Sequence, residues 1–231
     1  QYMDADPMFS PDGKRLYYIS KRPRSGETKS RKDYDIWYSE KKNGQWGEPV
    51  SVGLTVNTDQ NEYYISVSND YSLYYSANYE DKSKNSYLYK ATLVNGIYEV
   101  NLLPEIVNTK KGGIDPYITP NEDMLLFTAD REGGFGGKDL YVSFNDNGNW
   151  TKAVNMGPKV NTSFREYCPS MSPDGKYVFF TSGRFTPFRT GERTNYQGFM
   201  DKLHSNDNQF GNIYWLKSDF LGGLKKQAMA N

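Results

Sequence analysis

Three Asn-Gly pairs recur at an interval of 52 residues: Asn43-Gly44, Asn95-Gly96 and Asn147-Gly148. Between two strand-like runs, Asn-Gly is the strongest two-residue hairpin signal, because both positions accept positive φ. A fixed period near 50 residues marks a solenoid, a propeller or an array. The spacing therefore constrains the architecture before any single residue constrains the chemistry.

Other columns keep the same period. Each unit opens with a tight turn, clearest in Ser10-Pro11-Asp12-Gly13-Lys14 and Ser172-Pro173-Asp174-Gly175-Lys176, with degenerate copies at Ser68-Asn69-Asp70 and Thr119-Pro120-Asn121-Glu122. Pro presets φ, Asp bonds its own backbone and Gly supplies positive φ. Short apolar runs follow at Leu16 to Ile19, Leu73 to Tyr75, Leu125 to Phe127 and Val178 to Phe180. Continuous rather than alternating, they suit strands covered on both faces. The next column reads Asp35-Ile36-Trp37, Tyr87-Leu88-Tyr89, Asp139-Leu140-Tyr141 and Asn212-Ile213-Tyr214. After each Asn-Gly, Trp46, Tyr98 and Trp150 begin a fourth strand, and Val56-Asn57-Thr58, Val107-Asn108-Thr109 and Val160-Asn161-Thr162 lead into the next unit.

Four antiparallel strands per repeat with no helical period predict an all-β propeller. The blades are approximately 1–53, 54–105, 106–157 and 158–217, with 218–231 a C-terminal tail. The last unit has no Asn-Gly and no fourth strand; Ser218-Asp219 is expected to cap a short helical turn through Leu224. The pattern also predicts an N-terminal extension, supplying a fifth blade or a closing strand.

Composition removes several function classes. Lys+Arg and Asp+Glu are both 28, so no net charge favours nucleic acid or an anionic membrane. Aromatics reach 16% with 20 Tyr, enough apolar area for a β core despite only 36% hydrophobic residues. No apolar run predicts membrane insertion, and no signal segment is legible in the chain. Cys168 is the one cysteine, so no intrachain disulfide forms; beside Pro169 it is expected to be small and buried.

Ser-Pro-Asp-Gly-Lys before an apolar strand, then Asp-Ile/Leu-Tyr/Trp, resembles the Pro-Asp repeat of TolB-type (WD-like) β-propellers. The Gly133-Gly134-Phe135-Gly136-Gly137-Lys138-Asp139-Leu140-Tyr141 stretch is similar to versions in exported bacterial members. The resemblance implies a periplasmic or cell-surface propeller that binds an envelope protein or glycan. Such propellers are sometimes fused to peptidoglycan-binding or peptidase domains.

The long connections lie between second and third strands, and long loops on a rigid scaffold carry binding residues. Two columns border that face. Arg22, Arg131 and Arg184 end the second strands, with Tyr79 in blade two. Asp6, Tyr64, Asp115 and Cys168 stand in the first strands, with Asp4, Glu62 and Glu166 two positions earlier. Guanidinium and carboxylate groups are expected to meet at one channel mouth. Two readings stand: ion pairs between blades, or a charged pocket for a glycan, peptide or acidic group. The least repetitive segment carries Phe185, Phe188, Tyr196, Phe199, Met200 and Phe210 among Arg189, Arg193, Asp201, Lys202 and His204. It is read as a lid or partner contact, or as a loop packed on its own blade. His204, the single histidine, is expected to be solvated. Trp37, Tyr89, Tyr141, Trp46, Tyr98 and Trp150 read as blade packing.

One histidine and one cysteine supply neither a Ser-His-Asp site nor zinc ligation. Gly133 to Gly137 precedes a strand, so it reads as a flexible turn, not a phosphate loop. No cofactor and no metal are expected; weak calcium binding by the Asp/Asn turns stays open. Asp4, Asp6, Glu62, Asp115 and Glu166 leave a second reading, a carbohydrate-active hydrolase working with two carboxylates. A third is the propeller domain of a larger peptidase-like enzyme.

Overall fold

The computed structural model describes residues 2–79, 85–186 and 194–230. Phe188, Arg189 and Arg193 lie outside them. The architecture is a β-propeller of four antiparallel blades. Blade one holds β1 (Asp4–Phe9), β2 (Arg15–Ser20), β3 (Asp35–Lys42), β4 (Gln45–Trp46) and β5 (Val50–Ser51). Blade two holds β6 (Glu62–Val67), β7 (Leu73–Ala77), β8 (Tyr87–Val94) and β9 (Ile97–Leu102). Blade three holds β10 (Ile114–Ile118), β11 (Met124–Ala129), β12 (Asp139–Asp146), β13 (Asn149–Trp150) and β14 (Val154–Asn155). Blade four holds β15 (Glu166–Met171), β16 (Tyr177–Ser182) and β17 (Asn212–Lys217), with α1 (Tyr196–Leu203) between the last two. A 3₁₀ turn at Ser218–Phe220 leads into α2 (Leu221–Met229).

The turn chemistry works as the residues require. Asn43, Asn95 and Asn147 sit at φ 52°, 50° and 52°, each followed by a Gly at positive φ. In the first tight turn, Ser10 Oγ and the Lys14 N–H both donate to Asp12. The degenerate copy keeps the same bonds, Ser68 Oγ and the Ser72 N–H donating to Asp70. Thus the Asp outlives the Pro-Gly around it. The fourth strands differ from expectation in blades one and three. There the outer strand is split into two short pieces, both pairing with the third strand. In blade one Pro49 lies in the break, and it has no N–H for the ladder.

Apolar side chains fill the gaps between blades. Tyr17, Ile19 and Ile36 of blade one pack with Ile65, Leu73 and Tyr75 of blade two. Tyr74 and Leu88 pack with Ile118, Leu125 and Phe127 of blade three. Leu126, Leu140 and Val142 pack with Val178 and Phe180 of blade four, joined by Leu221 and Ala228 of α2. The tail is therefore a packed helix extending to Met229, not a turn ending at Leu224. Ser218 does not cap it: its hydroxyl donates to the Gly175 carbonyl, and Phe220 stands at the helix start.

The Val-Asn-Thr column is the hidden fastener. Asn57 accepts from the Ile36 N–H and donates to the Ile36 carbonyl, 2.8 and 2.9 Å. Asn108 does the same to Leu88, and Asn161 to Leu140. A carboxamide carries one donor edge and one acceptor edge, so it replaces a strand's peptide group. Each Asn thereby closes the third strand of the blade before it.

Candidate functional site

Four residues converge on the hub. In every first strand the ladder slips once, between Ala5 and Met8, Tyr63 and Ser66, Ile114 and Tyr117, and Tyr167 and Ser170. Asp6, Tyr64, Asp115 and Cys168 occupy those bulges at φ 51°, 52°, 54° and 50°. Positive φ at a non-glycine residue costs roughly 1–2 kcal/mol, and a bulge re-aims the side chain it carries. Asp6 accepts from the Tyr64 N–H, binding blade one to blade two. Asp115 Oδ2 accepts from the Cys168 N–H and Thr128 Oγ1, both at 3.0 Å, binding blade three to blade four. Asp115 Oδ1 is buried without a partner.

Burial pushes both Asp6 and Asp115 above the ordinary carboxylate range. Desolvation by the hub residues around it, together with the charges on Asp115 and Asp6, pushes the Cys168 thiol up to about 12. It is a poor nucleophile at neutral pH. Contrary to the expectation of a small buried residue, Cys168 is exposed. Its left-handed backbone turns the side chain out of the strand, which sequence spacing does not show.

The arginines do not gather around the acids as the columns suggested. Only Arg22 pairs directly with a column acid, reaching Asp4 at 3.2 Å, while its Nε donates to Ser20 Oγ. Arg184 donates to the Val160 carbonyl and to Ser182 Oγ, both at 3.0 Å. Arg131 donates to the Val107 carbonyl, and Tyr79 Oη to that of Val56. Each planar group also stacks on its blade's aromatics. Arg22 lies over Trp37, Arg131 over Phe127 and Tyr141, and Arg184 over Phe180 and Tyr214. Tyr79 rests 4.7 Å from the Tyr89 ring. In blades two to four, then, this column caps the Val-Asn-Thr turn of its own repeat.

The acids are likewise engaged. Glu62 accepts from the N–H and Oγ1 of Thr58, and Glu166 from the N–H and Oγ1 of Thr162. Glu166 also accepts from Ser182 Oγ at 2.6 Å. Glu62 is fully buried, and that burial pushes its pKa up to about 8. Two acids carry roles that column reading missed. Asp35 receives Arg24 through Nε and Nη2, both at 2.6 Å. Asp139 accepts from the backbone N–H groups of Phe135 and Gly136. The glycine loop is thus braced rather than flexible. A Cβ at Gly136 would stand 2.1 Å from the Phe164 carbonyl oxygen. The legible signal was Asp at the head of both third strands that follow these loops.

The insertion places its aromatics outward. Asn195 caps α1 by accepting from the Gly198 N–H, and none of the helix residues is buried. Tyr196, Phe199 and Phe210 are exposed, as is His204 at the helix end. Trp46, read as packing, is 42% exposed and rests against Phe9 at the edge of blade one. At the tight-turn end of the axis lies a cavity of about 440 Å³, lined from all four blades by Pro7, Val67, Tyr117 and Met171 among others. Sequence reasoning assigned no pocket to that end. Its legible trace was the tight-turn prolines Pro11, Pro120 and Pro173, which line it together with Pro7. Among the described residues, no group of three or more His, Cys, Asp or Glu is placed to hold a metal.

The backbone is similar to that of TolB from Acinetobacter baumannii, with a TM-score of 0.54 and 20% identity. That match covers 94% of this chain and 44% of TolB. A structure of a prolyl endopeptidase matches with a TM-score of 0.52 and 13% identity, over 80% of this chain and 24% of that one. The chain thus spans less than half the length of either propeller protein. At these identities the likeness is one of fold. No family model matches the sequence, and no curated protein matches it. Among the described residues no helix is long and apolar enough to cross a membrane.

Proposed function

We propose that this chain is a non-catalytic, exported binding propeller, periplasmic or at the cell surface, recognising an envelope protein or glycan across its long-loop face. The observation that carries this reading is α1. A helix that buries none of its own residues, on an otherwise rigid scaffold, is kept for contact rather than for stability. Its exposed Tyr196 and Phe199 are rigid amphipathic anchors of the kind that dominate interfaces. The likeness to TolB supports the exported location. The test is a binding screen against envelope proteins and glycans with the intact chain and a Tyr196→Ser/Phe199→Ser variant. Loss of a captured partner at unchanged melting temperature supports the reading; equal capture by both proteins argues against it.

The hub supports a second reading, a carbohydrate-active hydrolase. Asp6 and Asp115 are both desolvated and near enough that each raises the charge cost at Cys168. Glycoside hydrolysis uses one protonated and one ionised carboxyl, and two carboxyls that interact, as Asp6 does with Asp115, give up their protons one after the other. Turnover of a glycan abolished by Asp115→Asn would favour this reading, and no turnover by the parent chain would sink it. The third, a propeller serving a larger peptidase-like enzyme, rests on the fold likeness to the prolyl endopeptidase.

A further inference from the structure

Blade three departs from the other two arginine-bearing blades, one and four, at two adjacent column positions. In blade four, Arg184 Nε donates to Ser182 Oγ, which donates in turn to Glu166. In blade one, Arg22 has Ser20 and Asp4. Blade three keeps the arginine, Arg131, but has Ala129 in place of the serine and Gly113 in place of the acid. The consequence is visible at the atom: Arg131 Nε is buried with no acceptor. Among the described residues no carboxylate forms an ion pair with Arg131. Burial draws its pKa down.

The same region is open. A cavity of about 550 Å³ lies against Arg131, with Tyr141 on one wall and Lys110, Lys111 and Lys152 around it. Glu105 and Glu132 complete the polar rim. Lys111 also borders a second cavity of about 360 Å³, at Gly113, Ala129 and Lys138. Lys110, Lys111 and Lys152 are exposed and Lys111 already pairs with Asp130 at 3.6 Å, but a partly buried guanidinium without a counter-ion is unfavourable unless an anion joins it. A guanidinium presents two parallel N–H bonds to a carboxylate. The volume fits one or two sugar rings. The rim carboxylates Glu105 and Glu132 accept hydrogen bonds from hydroxyls, which a sugar ring carries and acidic peptide side chains do not, and this favours a sugar acid over an acidic peptide.

We infer that the Arg131 cavity is a binding site for a uronic-acid glycan, whose carboxylate supplies the counter-ion that Arg131 lacks. The inference rests on the binding reading above and names its ligand class. Arg131 takes the carboxylate through the guanidinium N–H groups that its bond to the Val107 carbonyl leaves over, while its stack on Tyr141 holds the plane. Lys110 and Lys152 supply long-range attraction from the exposed rim.

The test is calorimetric titration of the intact chain with trigalacturonate, its methyl ester and a tetraglutamate peptide. The expected result is binding of the acid, at least tenfold weaker binding of the neutral ester, and weaker binding of the peptide. Lys110→Glu/Lys152→Glu alters only exposed side chains. It is expected to lower affinity for trigalacturonate at least tenfold with the melting temperature unchanged. Arg131→Gln is expected to abolish binding. Equal affinity for acid and ester, affinity untouched by the rim variant, preference for the peptide, or no binding of trigalacturonate each overturns the site. Capture of another partner lost with Tyr196→Ser/Phe199→Ser would leave the broader binding reading standing even then.

Discussion

Leu88 and Ile213 hold the same column position, yet one is wholly buried and the other is 76% exposed. Ile36 and Leu140 agree with Leu88, each at 0%. The difference is not in the residues, which are all branched aliphatics in a third strand. It lies in what comes next. Leu88 is covered by blade three and its peptide group is clamped by Asn108. Among the described residues, no Asn clamps Ile213 and no blade covers it. Trp215, two positions on, is exposed as well. A propeller blade thus has no core of its own. It has two half-cores, and each becomes hydrophobic stabilisation only when a neighbour closes it.

The sharpest way to test that contrast is to truncate both residues. Leu88→Ala empties a closed interface and should destabilise by ~2–5 kcal/mol in urea unfolding. Ile213→Ala should change stability by about 0.5 kcal/mol or less. A loss at Ile213 as large as at Leu88 would show that this face is covered in solution. Removing the clamp comes next in size. Asn108→Ala orphans the buried Leu88 N–H, while the Leu88 carbonyl keeps the Leu103 N–H, and should cost ~1–3 kcal/mol. Among the described residues no comparable fastener holds Ile213.

A smaller effect should appear in pH dependence. Burial holds the folded Glu62 protonated up to about 8, against an ordinary value of 4.5. Between those values the unfolded chain has released a proton that the folded chain retains. The unfolded state binds fewer protons there, so stability falls as pH rises through this window. Glu62→Gln should flatten the slope of unfolding free energy against pH by about one proton. An unchanged slope would place the titration elsewhere, at Asp6, Asp35 or Asp115, which burial also raises.

The blade count and third-strand positions were readable because Asn-Gly, the turn Asp and the Asp-Leu-Tyr column act through bonds a few residues long. The Val-Asn-Thr column was visible as a repeat, but its role was not. Asn57 bonds Ile36 across 21 residues, and only the folded sheet brings them together. The charged columns misled in part for a related reason. Arg131 and Arg184 find carbonyl oxygens of Val107 and Val160, and every residue has a carbonyl, so no sequence pattern marks the partner. Trp46 and Cys168 were placed inward by residue type, whereas a sheet edge and a bulge turn them outward.

By itself, then, the chain's order of residues determined the module: its turns, its strand sequence and the aliphatic that faces the next sheet. These follow from local φ preferences and from alternation along a strand, which need no distant partner. Tertiary structure alone decided which charges are spent on the scaffold and which are left over. That outcome depends on which groups the folded sheet brings to Arg131, whose guanidinium lies over two rings and meets no carboxylate among the described residues.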